Sequence, residues 1–373
     1  MRVLYLTDRV SRHGGAGRHL LHVMGWVRRT GSEVQVVAGS MDGGVELPAG
    51  AIFHRVRSLG RGVSRAAGLD ALDDLLGWAD VVHIQNVMNP AALNRAVRHR
   101  RVIVTVQDHR VFCPGPGRTL PDGSRCSEPM DDRVCTRCLP DPGYRTAMLD
   151  LTRERLHALQ KAGTAVVLSS YMATELEQAG VRRIEVIPPW VDVGPERTDA
   201  GEVIIMGGRL VEHKAPQAAL RAWERAGRPL PLVVAGSGAL EDRLADARLL
   251  GWLGDRQLRS WLRKSRMLIF PTRWQEPFGI LGVEALAEGT PVVVAESGGT
   301  RDWSGEGCVT VPPGDEGAMA AAIRELALDP EEALRRGRAG QREVDRLFSS
   351  EEVQKLLWGL YFGGDAPKRT TAP

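Results

Sequence analysis

Short apolar segments alternate with helix-forming segments along this chain, and the alternation runs through twice. In the first run the apolar segments lie near residues 2–7, 33–38, 80–84, 101–106, 164–168 and 184–187; in the second they lie near 202–207, 231–236, 266–271, 291–295 and 308–311. Alternating strand and helix segments call for parallel sheets covered by helices on both faces. Two doubly wound, Rossmann-like α/β domains are therefore expected. The break falls in Ile187-Pro188-Pro189-Trp190-Val191-Asp192-Val193-Gly194-Pro195, because paired prolines resist continuation of either helix or strand. The domains are read as 1–188 and 196–348, followed by a terminal segment 349–373. In that segment Glu351 to Phe362 reads as an amphipathic helix, and Gly363 to Pro373 as a disordered tail. A chain of 373 residues, 43% of them hydrophobic, is long enough for two cores.

Charge excludes some partners. With 49 Lys and Arg against 46 acids the net charge is +3, too mild for a nucleic-acid footprint, and no nucleic-acid motif is present. The apolar run in Met1 to Asp8 is too short for a signal peptide, and no stretch approaches the roughly 18 apolar residues of a membrane helix. A cytoplasmic protein is expected. Membrane contact would be peripheral at most, through Arg95, Arg98, Arg100 and Arg101, a run that reads better as a solvated helix end.

The most informative chemistry lies in the second half. Met267 to Phe270 reads as a buried strand, Pro271 to Pro277 as a turn-rich loop carrying Glu276, and Gly279 to Ala287 as a helix carrying Glu284. The free N–H groups and positive dipole end of such a helix favour a phosphate, while Glu284 can accept hydrogen bonds from a vicinal diol. Upstream, the strand Val203 to Met206 runs into Gly207-Gly208-Arg209-Leu210-Val211-Glu212-His213-Lys214. Glycines admit a ligand close to the backbone, and Arg209 and Lys214 supply a planar fork and a point charge for a diphosphate. A solvated loop would show the same residue types, but not this order and spacing.

In the first half, Gly14-Gly15 opens a helix at the end of the first strand, with His19 one turn further on. Gln107-Asp108-His109 follows another strand. The segment 110–142 holds Cys113, Cys126, Cys135 and Cys138, spaced C-x12-C-x8-C-x2-C and threaded with proline and glycine. A loop this polar needs a tie. Four thiols including a Cys-x-x-Cys pair favour a structural zinc site, with an iron–sulfur cluster or free redox-active thiols as alternatives. Cys308 reads as a small buried apolar residue.

Taken together, these motifs resemble the retaining glycosyltransferase family 4, of GT-B fold. The resemblance extends through Ala235-Gly236-Ser237-Gly238, Gly251 to Asp255, Ser297-Gly298-Gly299 and Val311 to Asp315, and a subset of the family has a cysteine-bearing insertion at the same point. It implies transfer of a sugar, with retained configuration, from a nucleotide diphosphate donor to a small-molecule, glycan or lipid-linked acceptor, UDP being the favoured nucleotide. Arg209 and Lys214 would hold the diphosphate, with Gly208 and the Gly14-Gly15 loop beside it. Glu284 would hold the ribose, and Glu276 with Phe278, Gly279 and Ile280 the donor sugar. Asp108 would make an acceptor-side contact, the last helix would cross back to the first domain, and no catalytic metal would be required. Many relatives carry His-Asp where this chain has Gln107-Asp108, and Gln107 cannot carry a proton; His109 is the nearby substitute. Alternatives on the same fold are a nucleotide-sugar epimerase or hydrolase, and a non-catalytic nucleotide-sugar binder.

Overall fold

A computed structural model describes residues 1–60, 62 and 68–364. Of the tail expected from Gly363 to Pro373, residues 365–373 lie outside the described residues. The chain divides into two compact units, the first Met1–Val186 and the second beginning at Ile187.

The first unit runs β1 (Arg2–Val10), α1 (Gly15–Arg29), β2 (Glu33–Met41), β3 (Ile52–Arg55), α2 (Ala71–Trp78), β4 (Val81–Gln85), α3 (Pro90–Ala96), β5 (Val102–Val106), α4 (Asp132–Cys135), α5 (Pro142–Gln160), β6 (Thr164–Val167), α6 (Ser170–Gln178) and β7 (Ile184–Val186). These strands form one parallel sheet in the order β3-β2-β1-β4-β5-β6-β7. Every residue of β4 and β5 is buried, as a strand covered on both faces requires. The strand order reverses at β1, so the crevice at the carboxyl ends of β1 and β4 is where an open α/β sheet binds ligands.

The second unit repeats the plan with β8 (Val203–Gly207), α7 (Pro216–Arg225), β9 (Leu232–Ala235), β10 (Arg248–Gly251), α8 (Asp255–Lys264), β11 (Ser265–Phe270), α9 (Ile280–Ala287), β12 (Val292–Ala295), β13 (Cys308–Val311), α10 (Glu316–Leu328), α11 (Pro330–Phe348) and α12 (Ser350–Phe362). Its parallel sheet has the order β10-β9-β8-β11-β12-β13, reversing at β8. Each sheet has its own apolar core.

Two strands depart from the expected set. β3 and β10 lie at sheet edges, where most of their residues are exposed or half-buried, so Ile52-Phe53-His54-Arg55 and Arg248-Leu249-Leu250-Gly251 carry no continuous apolar run. The proline segment after Ile187 is bound into the second unit: the Val191 N–H donates to Phe348 O at 3.0 Å and the Gly194 N–H to Ala287 O at 2.9 Å. Among the described residues no helix is long and apolar enough to cross a membrane.

Candidate functional site

In the second unit the two motifs of the sequence meet at the sheet's reversal point. The β8 strand ends in Gly207-Gly208, and Gly208 adopts φ 112°, a conformation a side chain resists. A Cβ on Gly236 would come within 1.9 Å of Gly208 O, so the turns after β8 and β9 pack backbone to backbone. The chain then makes a short helical turn, Glu212–Lys214, and Ala215 at φ 52° redirects it into α7, whose first residue is Pro216. This places Lys214 against the loop after β11.

Lys214 Nζ donates to Glu276 Oε2 in an ion pair whose side chains are 22% and 8% exposed. The ammonium also stands 5.2 Å from the centre of the Trp274 ring. Arg209 is exposed, and among the described residues no carboxylate pairs with it. His213 packs edge-on to Trp274; burial first, then Lys214 and Arg209, lowers its pKa to about 4, so at neutral pH it adds no charge. The cationic groups here are therefore Arg209, exposed, and Lys214, held by one carboxylate.

The loop carrying Glu276 is held from two sides. Ser297 Oγ donates to Trp274 O at 2.6 Å, and the Gly299 N–H to Glu276 O at 2.7 Å. Trp303 Nε1 donates to Phe278 O at 2.6 Å, its ring edge-on to Phe270. Gly279, at φ 91°, caps α9 without a side chain, and no acidic residue stands in the helix's first turn. The positive end of α9 is thus open to an anion beside Lys214 and Glu276. Glu284, half-buried, lies in the second turn of the same helix. The sequence motifs flag neither Trp274 nor Trp303. The signal for Trp303 is Gly282, in the middle of α9, where a Cβ would lie 2.2 Å from the indole.

In the first unit Gly14, at φ 89°, caps α1, and a buried chain of polar groups joins this turn to the strand ends. Gln85 Nε2 donates to Ala16 O at 2.7 Å and to Gln107 Oε1 at 2.8 Å, and Gln107 Nε2 donates to His19 Nδ1 at 2.8 Å. Burial lowers the His19 pKa to about 4, which keeps that nitrogen an acceptor. Gln107 therefore spends both ends of its amide on the protein. His109, the nearby substitute expected from the sequence, is 1% exposed; Nε2 lies 3.0 Å from Tyr171 Oη, and its ring packs on Phe112. Asp108 is chelated by Arg110, whose N–H and guanidinium bond both carboxylate oxygens at 2.6–2.9 Å. Burial pushes the Asp108 carboxyl up, but Arg110 more than offsets this and holds it below the ordinary value.

The cysteine segment is tied down by ion pairs. Glu175 on α6, 1% exposed at its side chain, accepts from Arg118 Nε and from Arg125, each at 2.6 Å, and Arg145 on α5 bonds Asp132 and Leu139 O. Cys113 Sγ accepts from the Arg118 N–H at 3.4 Å, while the Cys126 N–H bonds Arg118 O at 2.8 Å. Cys138 Sγ lies 3.9 Å from Thr119 O. The four thiols are free and half-buried around this hairpin, but among the described residues no three Cys, His, Asp or Glu side chains are gathered so as to hold one ion. Cys308 is buried, as expected, its thiol pushed up to about 12 first by burial.

Comparison with known proteins points to one family. A model described as "Glycosyltransferase Family 4" matches residues 13–194, and one described as "Glycosyl transferases group 1" matches residues 201–329. The chain belongs to the group 1 glycosyltransferases of GT-B fold. The chain is 30% identical over 222 residues to the glycogen synthase of Mycobacterium tuberculosis, covering 54% of this chain and 53% of that protein. It is 31% identical over 165 residues to the D-inositol 3-phosphate glycosyltransferase of Streptomyces avermitilis, covering 38% of this chain and 35% of that one. The chain thus spans about half the length, or less, of these curated relatives. Among solved structures, Anabaena Alr3699/HepE in complex with UDP superposes with a TM-score of 0.71 at 16% identity, covering 96% of this chain and 98% of that one. WaaG, a glycosyltransferase involved in lipopolysaccharide biosynthesis, superposes at 0.70 with 14% identity, covering 97% and 100%. At these identities the likeness is one of fold.

Proposed function

We propose that this glycosyltransferase moves a sugar from a UDP-sugar to an acceptor hydroxyl with retention of anomeric configuration. The observation that carries the reading is the Lys214–Glu276 ion pair beside the uncapped start of α9. In this reading Arg209, Lys214 and the α9 N-terminus take the diphosphate, Gly208 lets it approach the backbone, and Glu284 accepts from the ribose diol. Glu276 and the backbone of Phe278, Gly279 and Ile280 orient the donor sugar. Gly14, Gly15 and Asp108, in the first unit, serve the phosphate and the acceptor. As the bond between the anomeric carbon and the diphosphate breaks, negative charge grows on the leaving oxygen. The cations and helix end stabilise it, so the reading asks for no catalytic metal. The acceptor oxygen bonds the same face of that carbon and its proton passes to the leaving phosphate. The HepE complex with UDP supports the choice of nucleotide.

Calorimetry with UDP, GDP, ADP and TDP, beside a Lys214→Ala control, tests the donor site. Binding by one nucleotide that the variant loses is expected; no binding by any of the four would overturn the reading. NMR of the anomeric proton in the product then tests retention. A second reading, a nucleotide-sugar binder without turnover, draws on Gln107, whose amide is committed to Gln85 and His19. Donor binding without transfer across an acceptor panel would favour it. Structural zinc at Cys113, Cys126, Cys135 and Cys138 is proposed on four free thiols carried by one segment, and requires the sulfurs to turn toward one another from where they now stand. Elemental analysis is expected to find one zinc per chain, and protein purified without it would end that proposal.

A further inference from the structure

A pocket of about 490 Å³, including its open side, lies in the first unit among β4, β5, α3 and α5. Its walls are largely apolar, Val97 and Val104 among them, but six polar residues also line it: Asn86, Thr105, Gln107, Asp108, Arg110 and Arg155. Asn86 follows β4 with φ 53°, a left-handed turn that asparagine tolerates better than most residues. Arg110 is the outer cation, 44% exposed and already paired with Asp108 at 2.6 Å and more distantly with Asp8 at 4.0 Å.

Arg155 is different. It is 2% exposed, and its single hydrogen bond runs from Nε to Met88 O at 3.0 Å. Among the described residues no carboxylate pairs with it, and its two terminal amines carry no hydrogen bond. A guanidinium taken out of water without a counter-charge is costly, and folding alone does not call for one here. Burial pulls its pKa below the ordinary arginine value, with Arg110 adding to the effect, while Asp108 and Glu154, neither in contact with it, oppose it without cancelling it. A planar fork with two free amines, set in a pocket beneath a second arginine, matches the geometry of a carboxylate or phosphate.

We propose that this pocket seats an oxyanion carried by the acceptor, a phosphate or a carboxylate, with the terminal amines of Arg155 as its inner donors and Arg110 at the outer edge. This deepens the reading that the first unit takes the acceptor: the preferred acceptor is an acidic molecule, bound by its charged group while a hydroxyl is presented for transfer.

The test titrates the full chain with inorganic phosphate and, separately, with acetate at constant ionic strength, following hydrogen exchange by peptide and affinity by calorimetry. Slowed exchange confined to 81–89 and 142–160 is expected with at least one of the two anions. An effect of phosphate alone assigns a phosphorylated acceptor; an effect of acetate alone assigns a carboxylic acid. Arg155→Gln is expected to weaken the anion at least tenfold. Arg155→Met is expected to melt no lower than the parent, because the loss of the bond to Met88 O is offset by relief of a charge buried without a paired carboxylate. Unchanged anion affinity in Arg155→Gln, or no exchange footprint with either anion, would overturn the proposal. If Arg155→Gln fails to fold, the footprint on the parent chain decides alone. UDP calorimetry on the same samples separates the two readings. UDP binding with no anion footprint removes the acidic acceptor and leaves the glycosyltransferase, whereas a footprint without nucleotide binding does the reverse.

Discussion

Neutralising Glu276 is expected to tighten UDP binding while it destroys turnover. In the folded chain Glu276 holds Lys214 Nζ, with the two side chains 8% and 22% exposed. That burial puts the pair between exposed ion pairs, worth about 0–1 kcal/mol, and buried ones, whose disruption costs about 3–5 kcal/mol; a coupling of about 2 kcal/mol is a reasonable middle. A diphosphate must draw Lys214 from this partner and accept a carboxylate nearby. Glu276→Gln keeps the shape and an acceptor oxygen but releases the ammonium, so UDP is expected to bind about tenfold more tightly, which spends about 1.4 kcal/mol of that coupling. Lys214→Ala removes the cation, strands a buried carboxylate, and is expected to weaken UDP by tenfold or more. Calorimetry of both variants and the double variant, at low salt and at high salt, measures the coupling directly. If Glu276→Gln weakens UDP as much as Lys214→Ala does, Glu276 is not a competitor for the ammonium and the electrostatic account of this site fails.

Three further outcomes concern the scaffold. Gly279→Ala forces a side chain into φ 91° with Phe270 and Trp303 at 3.1 and 3.2 Å, and is expected to cost at least about 1–2 kcal/mol, read as a lower denaturation midpoint; an unchanged midpoint refutes it. Glu175→Ala leaves Arg118 buried without its counter-charge and is expected to cost about 3–5 kcal/mol, with faster hydrogen exchange in 113–139; exchange there at the parent rate would show that the hairpin is held by other contacts. His19 has a folded pKa of about 4 against an ordinary 6.5, so the unfolded chain binds the proton first. The stability this histidine contributes is complete above pH 6.5 and falls away as the pH drops toward 4, by up to about 3 kcal/mol. Melting curves from pH 7.5 to 4.5 should show a slope to which His83, His109 and His213, lowered likewise by burial, also contribute, and His19→Gln should make it shallower by its own share; identical slopes would assign the acid sensitivity to the other three.

Much of this molecule is legible locally. An internal parallel strand is buried on both faces, so Val81 to Gln85 or Val203 to Gly207 announces itself as a nearly unbroken apolar run. Gly208 and Gly279 mark the turns of the candidate site because backbone conformation is a property of a few consecutive residues. Edge strands escape notice, since their solvent face breaks the run.

By itself, then, the sequence determined the twice-repeated α/β plan, the glycine turns, and which charged residues lie beside them. Tertiary structure alone decided which charges neutralise one another. It paired Lys214 with Glu276 across 62 positions and fastened Glu175 to two arginines of the cysteine hairpin. It turned Gln107 inward to His19 and left Arg155 buried without a carboxylate. The physical reason is that backbone preference acts over a few residues, whereas the energy of a charge depends on what the fold brings within about 4 Å of it, a distance unrelated to separation along the chain.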